Sequence, residues 1–354
     1  MYPERLKRAR KAAGLSLRAL GEQIGVSQTT IKKYEDGINT PNSSQLIKLA
    51  KALGVRTEYF FRPFTVKLDA NIEYRKRPTA SSKLLERIRA DVEEQAERWK
   101  ELANLYNQFP INAFSLPDGL PEKVSKLEEV EQVAALVREK WKFGEDPIND
   151  LVDALESQGI LIIFTNLDTH TQVDGLAASI DSQPVIVVAR DWSGDRQRFT
   201  LAHELGHLLL HDRLADLDVE KACNRFAGAF LLPMTVLRQK MGEQRRMIEW
   251  QELALLKHEF GISMLCCLFR LKEASIIDKP VFEALRATYY ANHWDNKEPG
   301  KDYPAEQTIL FKQLVYRALA EGWIGESKAS ELLGMPLARF HRERKMEVVH
   351  AVTG

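Results

Sequence analysis

Two histidines four residues apart, with a glutamate directly after the first, give the chain its strongest chemical signal, in Thr200-Leu201-Ala202-His203-Glu204-Leu205-Gly206-His207-Leu208-Leu209-Leu210. Side chains four apart stand one turn apart on the same face of a helix, so both imidazoles can reach one ion while Glu204 projects beside it. That set suits zinc hydrolysis, in which zinc lowers the pKa of a water and a nearby carboxylate takes its proton. The reading makes His203 and His207 metal ligands and Glu204 the catalytic base.

A hydrolytic zinc takes three protein ligands, so a third must come from elsewhere in the chain. His211 follows His207 by another four residues, but eight residues of straight helix place it roughly 12 Å from His203, too far to share an ion. Glu220 is the better candidate, in a predicted helix running to Pro233 where Cys223, Asn224, Ala227 and Leu231 share its face. A carboxylate on so apolar a stripe is costly unless paired, and a metal would be that pair. Glu220 also suits a helix N-terminus without any metal, and Asp216 and Asp218 are rival ligands. Asn224, one turn on, is placed either to bond the free nitrogen of a metal-binding histidine or a substrate backbone, or to be a plain amide at the core edge. His170, His258 and Tyr289 are open candidates for stabilising an oxyanion.

The surrounding pattern supplies elements to hold these groups. Leu201, Leu205, Leu208 and Leu209 give the motif helix its anchoring contacts. Upstream, Gly159 to Phe164, Gly175 to Ile180 and Val185 to Ala189 are short β-branched runs, the last two joined by a turn at Asp181-Ser182-Gln183-Pro184. They predict a small sheet, and a peptide substrate would lie extended along the edge formed by residues 175–180. Helices are expected from Pro121 to Trp141 and from Pro147 to Gln158, with Gly159 closing the second. A long amphipathic helix, Ser82 to Tyr106, has the drifting stripe of an intramolecular packing face. Residues 65–80 read as a connector with short strand character at Phe64-Thr65-Val66. The pattern after Gly194 is helical to about Val349, and no internal repeat is evident.

With 354 residues, 44% of them hydrophobic, the chain is long enough for two or three cores. No apolar run is long enough to cross a bilayer, and the amino terminus runs straight into charge, which predicts a cytoplasmic protein with no membrane partner. Cys223, Cys266 and Cys267 include no C-x-x-C and read as buried thiols rather than disulfides or a thiolate zinc site. A formal net charge of +0 excludes a generally basic nucleic-acid coat, but Arg5, Lys7, Arg8, Arg10, Lys11, Arg18, Lys32 and Lys33 concentrate positive charge at the amino terminus. There, Ser16 to Gly37 has the layout of a helix-turn-helix. Leu20, Ile24, Val26 and Ile31 face inward, Gly25 makes the turn, and Gln28, Thr29, Lys32 and Lys33 face outward to meet base edges and phosphates.

On these residues, together with Pro41, Leu46, Leu49, Ala50 and Gly54, the first 60 residues resemble the Cro/repressor (Xre) type of helix-turn-helix. Residues from about 125 to 270 resemble the ImmA/IrrE family of zinc peptidases, through Arg198 to His207 followed by Glu220, Asn224, Phe226-Ala227 and Leu232-Pro233. The resemblance implies Zn2+ held by His203, His207 and Glu220, with Glu204 catalytic in a gluzincin-like site. It implies cleavage of a DNA-binding regulator in a stress, mobile-element or toxin-antitoxin setting. The alternative is a repressor whose metal site senses zinc or a ligand and cleaves nothing. The tail from Phe311 to Gly334 looks like the C-terminal extension of fused Xre-peptidase chains; it also resembles a degenerate second helix-turn-helix, with core packing preferred.

The expected fold is mainly α, α+β overall. It comprises an all-α helix-turn-helix domain (1–63), a connector with the long helix (64–120), a peptidase domain with a small sheet packed on helices (121–272) and a helical C-terminal domain (273–354). Xre-type domains commonly bind paired half-sites, which makes a homodimer the expected state on DNA.

Overall fold

The computed structural model describes residues 1–62, 82–166 and 175–346. The expected connector over 65–80, the strand character at Phe64-Thr65-Val66, and His170 lie outside the described residues. Two compact units result: residues 1–62, 82–110 and 308–346 form one, and 111–166 with 175–307 form the other.

The first unit opens with α1 (Pro3–Ala12), α2 (Leu17–Ile24), α3 (Gln28–Glu35) and α4 (Ser43–Leu53), followed by a 3-10 turn, Thr57–Phe61. Ser16 and Ser27 accept hydrogen bonds from the backbone amides of Ala19 and Thr30, which fixes the starts of α2 and α3. Gly25 ends α2 at φ +77°, a conformation that favours glycine, and turns the chain into α3. Gly21 is needed for a different reason: a Cβ there would stand 2.6 Å from the Val26 carbonyl oxygen, in the tight turn between the two helices. Leu6, Leu20, Ile24, Ile31, Leu49 and Phe60 close a core of their own. The long helix α5 (Ser82–Ala103) ends three residues short of Tyr106 and lies against α1 through buried ion pairs. Arg5 meets Glu97, and Arg8 reaches Glu97 at 2.6 Å and Glu93 at 3.0 Å.

The second unit runs α6 (Leu127–Lys140), α7 (Leu151–Glu156), β1 (Leu161–Thr165), β2 (Gly175–Ile180), β3 (Gln183–Ala189), α8 (Gly194–Leu210), α9 (Val219–Leu231), α10 (Met234–Met241), α11 (Trp250–Phe260), α12 (Met264–Glu273) and α13 (Lys279–Ala291). Pro121 does not open a helix. Val124 is drawn into a short parallel bridge, donating to the Arg213 carbonyl at 2.7 Å and accepting from the Ala215 amide at 2.9 Å, so α6 starts six residues later than its composition suggests. Likewise α7 starts only at Leu151, where Asp150 caps it.

The sheet has the order β1-β3-β2, with β1 parallel and β2 antiparallel to β3. Asp181 and Ser182, both at positive φ, suffice as the hairpin turn, so β3 begins at Gln183 rather than Val185. All of β1 is buried, which explains its unbroken apolar run, whereas β2 alternates between buried and half-buried positions and is an edge of the sheet.

The chain then returns to the first unit with α14 (Leu310–Ala320), α15 (Glu326–Leu332) and α16 (Leu337–Arg344). Leu314, Val315, Ala318, Ala329 and Phe340 form a core with Leu102 and Tyr106 at the end of α5, and the Tyr106 hydroxyl donates to the Leu314 carbonyl at 2.7 Å. Thus the apolar stripe of α5 is covered within the chain.

Candidate metal centre

The site is built where α8 and α9 cross. Leu201, Leu205, Leu209 and Leu210 of α8 are buried to 0% exposure among Phe226, Ala227 and Phe230 of α9, so the motif helix is held on its apolar side along its length. The crossing is close because Gly206 has no side chain. A Cβ there would lie 3.2 Å from the Phe226 ring and 3.3 Å from the Cys223 Cα. Valine at 206 is therefore expected to push the helices apart, at about 1–3 kcal/mol of stability. It should also weaken metal binding at least tenfold although every candidate ligand is retained. Metal titration beside a denaturation curve checks this, and unchanged affinity would show that the crossing distance does not matter.

The crossing brings His203, His207 and Glu220 together, with one ligand-type atom from each lying within 4.8 Å of the others. The two Nε2 atoms are 3.0 Å apart, and the Glu220 carboxylate stands 3.4 Å from each of them. Their other ring nitrogens are engaged. His203 Nδ1–H donates to Asn224 Oδ1 at 2.9 Å, and His207 Nδ1 is hydrogen-bonded with Cys223 Sγ at 3.2 Å. The bond to Asn224 sets the His203 tautomer that leaves its Nε2 lone pair turned toward the Glu220 carboxylate, and the Cys223 contact holds the His207 ring with its Nε2 toward the same group. Such a cluster of electron-rich atoms calls for a cation between them, and two imidazoles with a carboxylate are a donor set that zinc accepts. The residues present fit that ion.

The other named residues fall into place around this centre. Glu204 is 8% exposed on α8 and faces the start of β2, where a Cβ on Gly175 would be 3.6 Å from its Cγ. Neither Asp216 nor Asp218 joins the cluster; Asp218 caps α9, accepting from the Lys221 amide at 3.0 Å. His211 lies in the turn after α8 near Asp212 and is also outside it. Tyr289 donates to Glu298 at 2.9 Å in a buried network with Lys257 and Asp195, and His258 is solvent-exposed. Gln28, Thr29, Lys32 and Lys33 are all exposed on α3, with Lys32 paired to Asp36 at 2.7 Å.

Two features escaped the reading of residue types. Residue type alone groups Cys223 with Cys266 and Cys267 as a buried thiol, yet it is the partner of His207; its place one turn after Glu220 is the sequence signal that sets it apart. Arg198, five residues before His203, is 1% exposed and bonds Glu306 at 2.5 Å and the carbonyls of Ile148 and Phe260 at 2.6 Å and 3.3 Å. No local spacing links these groups.

Residues 155–272, which contain the whole cluster, match the family model described as the IrrE N-terminal-like domain, Peptidase_M78. Residues 6–60 match a helix-turn-helix model. The chain carries both domains. The Peptidase_M78 match ties the α8–α9 site to a metallopeptidase family, and the helix-turn-helix match covers α1 to the 3-10 turn. Curated relatives match over short stretches of the chain. An uncharacterized transcriptional regulator in the ATPase CF(0) region of Rhodospirillum rubrum is 43% identical over 58 residues, which is 16% of this chain and 54% of the relative. The uncharacterized HTH-type transcriptional regulator y4wC of Sinorhizobium fredii is 38% identical over 58 residues, 16% of this chain and 41% of the relative. Repressor protein C2 of Salmonella phage P22 is 27% identical over 108 residues, 30% of this chain and 47% of the relative. The chain spans about half the length of the curated relatives it matches.

Proposed function

We propose that this chain is a DNA-binding regulator with zinc-dependent endopeptidase activity, cleaving a partner transcriptional regulator in a stress, mobile-element or toxin-antitoxin setting. The observation that carries it is the convergence of the His203 and His207 Nε2 atoms on Glu220, with Glu204 on the same helix beside β2, the outer strand of the sheet among the described residues. His203, His207 and Glu220 would hold zinc, which when bound supplies a polarised carbonyl and a water of lowered pKa. The protein's own groups do the rest. The edge of β2 aligns an extended peptide backbone, Glu204 takes a proton from the attacking water and then passes it to the leaving amine, and Asn224 and Cys223 keep the imidazoles in register.

The helix-turn-helix domain, proposed over residues 1–63 and tethered to a peptidase domain over 121–272, would hold the protease beside a promoter-bound substrate and raise its effective concentration. Gln28, Thr29, Lys32 and Lys33 would make the DNA contacts. A homodimer on paired half-sites in the cytoplasm fits that role; no helix among the described residues is long and apolar enough to cross a membrane.

Elemental analysis of the purified chain and of Glu220→Ala, with capture of cellular protein by Glu204→Gln, tests the reading. One zinc per chain, lost in Glu220→Ala, and a DNA-binding regulator trapped by Glu204→Gln are expected. Zinc without any trapped or cleaved protein would leave a sensing repressor that cuts nothing, and absence of metal from the wild type would remove the peptidase altogether.

A further inference from the structure

The carboxyl-terminal helices repeat the amino-terminal ones at a fixed offset in residue number. Glu326 and Leu337 start α15 and α16 with the same spacing as Leu17 and Gln28 start α2 and α3, and α3 and α16 are each 8 residues long. Burial repeats as well. Arg5, Leu6 and Ala9 are the buried positions of α1, and Leu314, Val315 and Ala318 are those of α14. Leu20, Gly21 and Ile31 correspond to Ala329, Ser330 and Phe340, all buried. So does the turn. Gly25 and Gly334 have φ of +77° and +64°, and the following amides, Val26 and Met335, donate to the carbonyls of Gly21 and Ser330 at 2.9 Å and 3.0 Å. Helix lengths, core positions and the turn hydrogen bond coincide although few residue types do.

In this correspondence α16 takes the place of α3, the helix that enters a major groove in helix-turn-helix proteins. Its outward positions are strongly basic. Residues 337–345 hold Arg339, His341, Arg342, Arg344 and Lys345 against Glu343 alone. Arg344 and His341 are drawn to Glu326 of α15. Ala338, Arg339 and Arg342 are exposed, and the two guanidinium groups make no hydrogen bond or ion pair among the described residues. An exposed cation pair on a reader helix matches phosphate and base edges better than an apolar protein surface.

We propose that α14–α16 form a second helix-turn-helix and that α16, through Arg339 and Arg342, is a second surface for duplex DNA. Both modules lie in one unit and both are seated on α5, so one chain holds two readers on a common support. Binding by one raises the local concentration of DNA at the other.

The test uses the full chain and a mixed-sequence duplex of about 40 base pairs followed by fluorescence anisotropy over a salt series. Arg339→Glu/Arg342→Glu is expected to weaken binding roughly tenfold or more at about 0.1 M salt, and to lower the slope of log K against log salt by about 1–2. Lys32→Glu/Lys33→Glu should lose affinity separately, and the quadruple variant should bind more weakly than either double. Ala338→Glu, also exposed, should reproduce the loss without removing a cation, and unchanged melting of each variant keeps folding out of the comparison. Wild-type affinity and salt slope in Arg339→Glu/Arg342→Glu would overturn the proposal. So would unchanged DNA binding accompanied by a change in sedimenting mass, which would make α16 a protein interface. Failure of the Lys32→Glu/Lys33→Glu variant to lose affinity would count against the first module alone.

Discussion

Arg198→Met is expected to destabilise the second unit by about 3–5 kcal/mol, the range found when one partner of a buried ion pair is removed. The size follows from what is left behind. Glu306 is only 5% exposed at its side chain, and the hydrogen bond left to its carboxylate among the described residues is a long one from the Val152 amide at 3.3 Å. The carbonyls of Ile148 and Phe260 also lose a donor. Because Arg198 ties the first half of α8 to three separate segments, metal affinity should fall with stability although Arg198 touches no candidate ligand. Chemical denaturation of Arg198→Met, Glu306→Leu and the double variant measures the coupling. The double variant is expected to recover part of the loss, since two apolar side chains leave no orphaned charge. A single-variant cost below about 1 kcal/mol would show that the pair is not structural.

Glu156→Gln is expected to do the opposite and stabilise the protein at pH 8. Glu156 is 3% exposed on α7, and neither carboxylate oxygen has a hydrogen-bond partner. Burial, with Asp153 and Asp150 adding repulsion, pushes its pKa from 4.5 up to about 8. Between those values the unfolded chain has released the proton while the folded chain keeps it, so stability falls as pH rises from about 4.5 to 8 and is level above. The wild type should lose about 2–4 kcal/mol across that window relative to Glu156→Gln, whose side chain stays neutral. Unfolding curves of both proteins at pH 5 and pH 8 decide it, because groups common to the two cancel in the difference. Equal pH dependence would mean that Glu156 finds a partner or solvent when charged.

These two residues also mark the limits of what residue order reveals. His203, Glu204 and His207 stand out because helical periodicity is local; Glu220 was legible from the face it shares with Cys223 and Asn224, although its side chain is 53% exposed and so carries no burial cost that a metal would have to offset. The β-hairpin and the helix-turn-helix were legible on similar grounds, through alternation, glycines and capping serines. Arg198 and Glu306 are 108 residues apart, and nothing in their neighbourhoods pairs them. Pro121 misled because proline favours a first helical turn, whereas a backbone bridge from Val124 to the segment after α8 won that stretch. The terminal repeat showed in the sequence only as a degenerate second helix-turn-helix, ranked below core packing, because the shared property is which positions are buried. Leu20 against Ala329 and Ile31 against Phe340 satisfy the same packing with different side chains.

The place of α5 has a consequence for how the chain is made. Its apolar end, Leu102 and Tyr106, is covered by α14, which lies beyond the entire second unit in the order of synthesis. At about 5–20 residues per second, the roughly 200 intervening residues take some 10–40 s to emerge from a ribosome. During that interval the helix has its partners on α1, but its Leu102 end lacks the hydrophobic cover of α14. The newborn chain therefore passes through a stage in which the first module is folded and a sticky helix trails it, a stage that chaperones can recognise and that a full-length chain no longer displays.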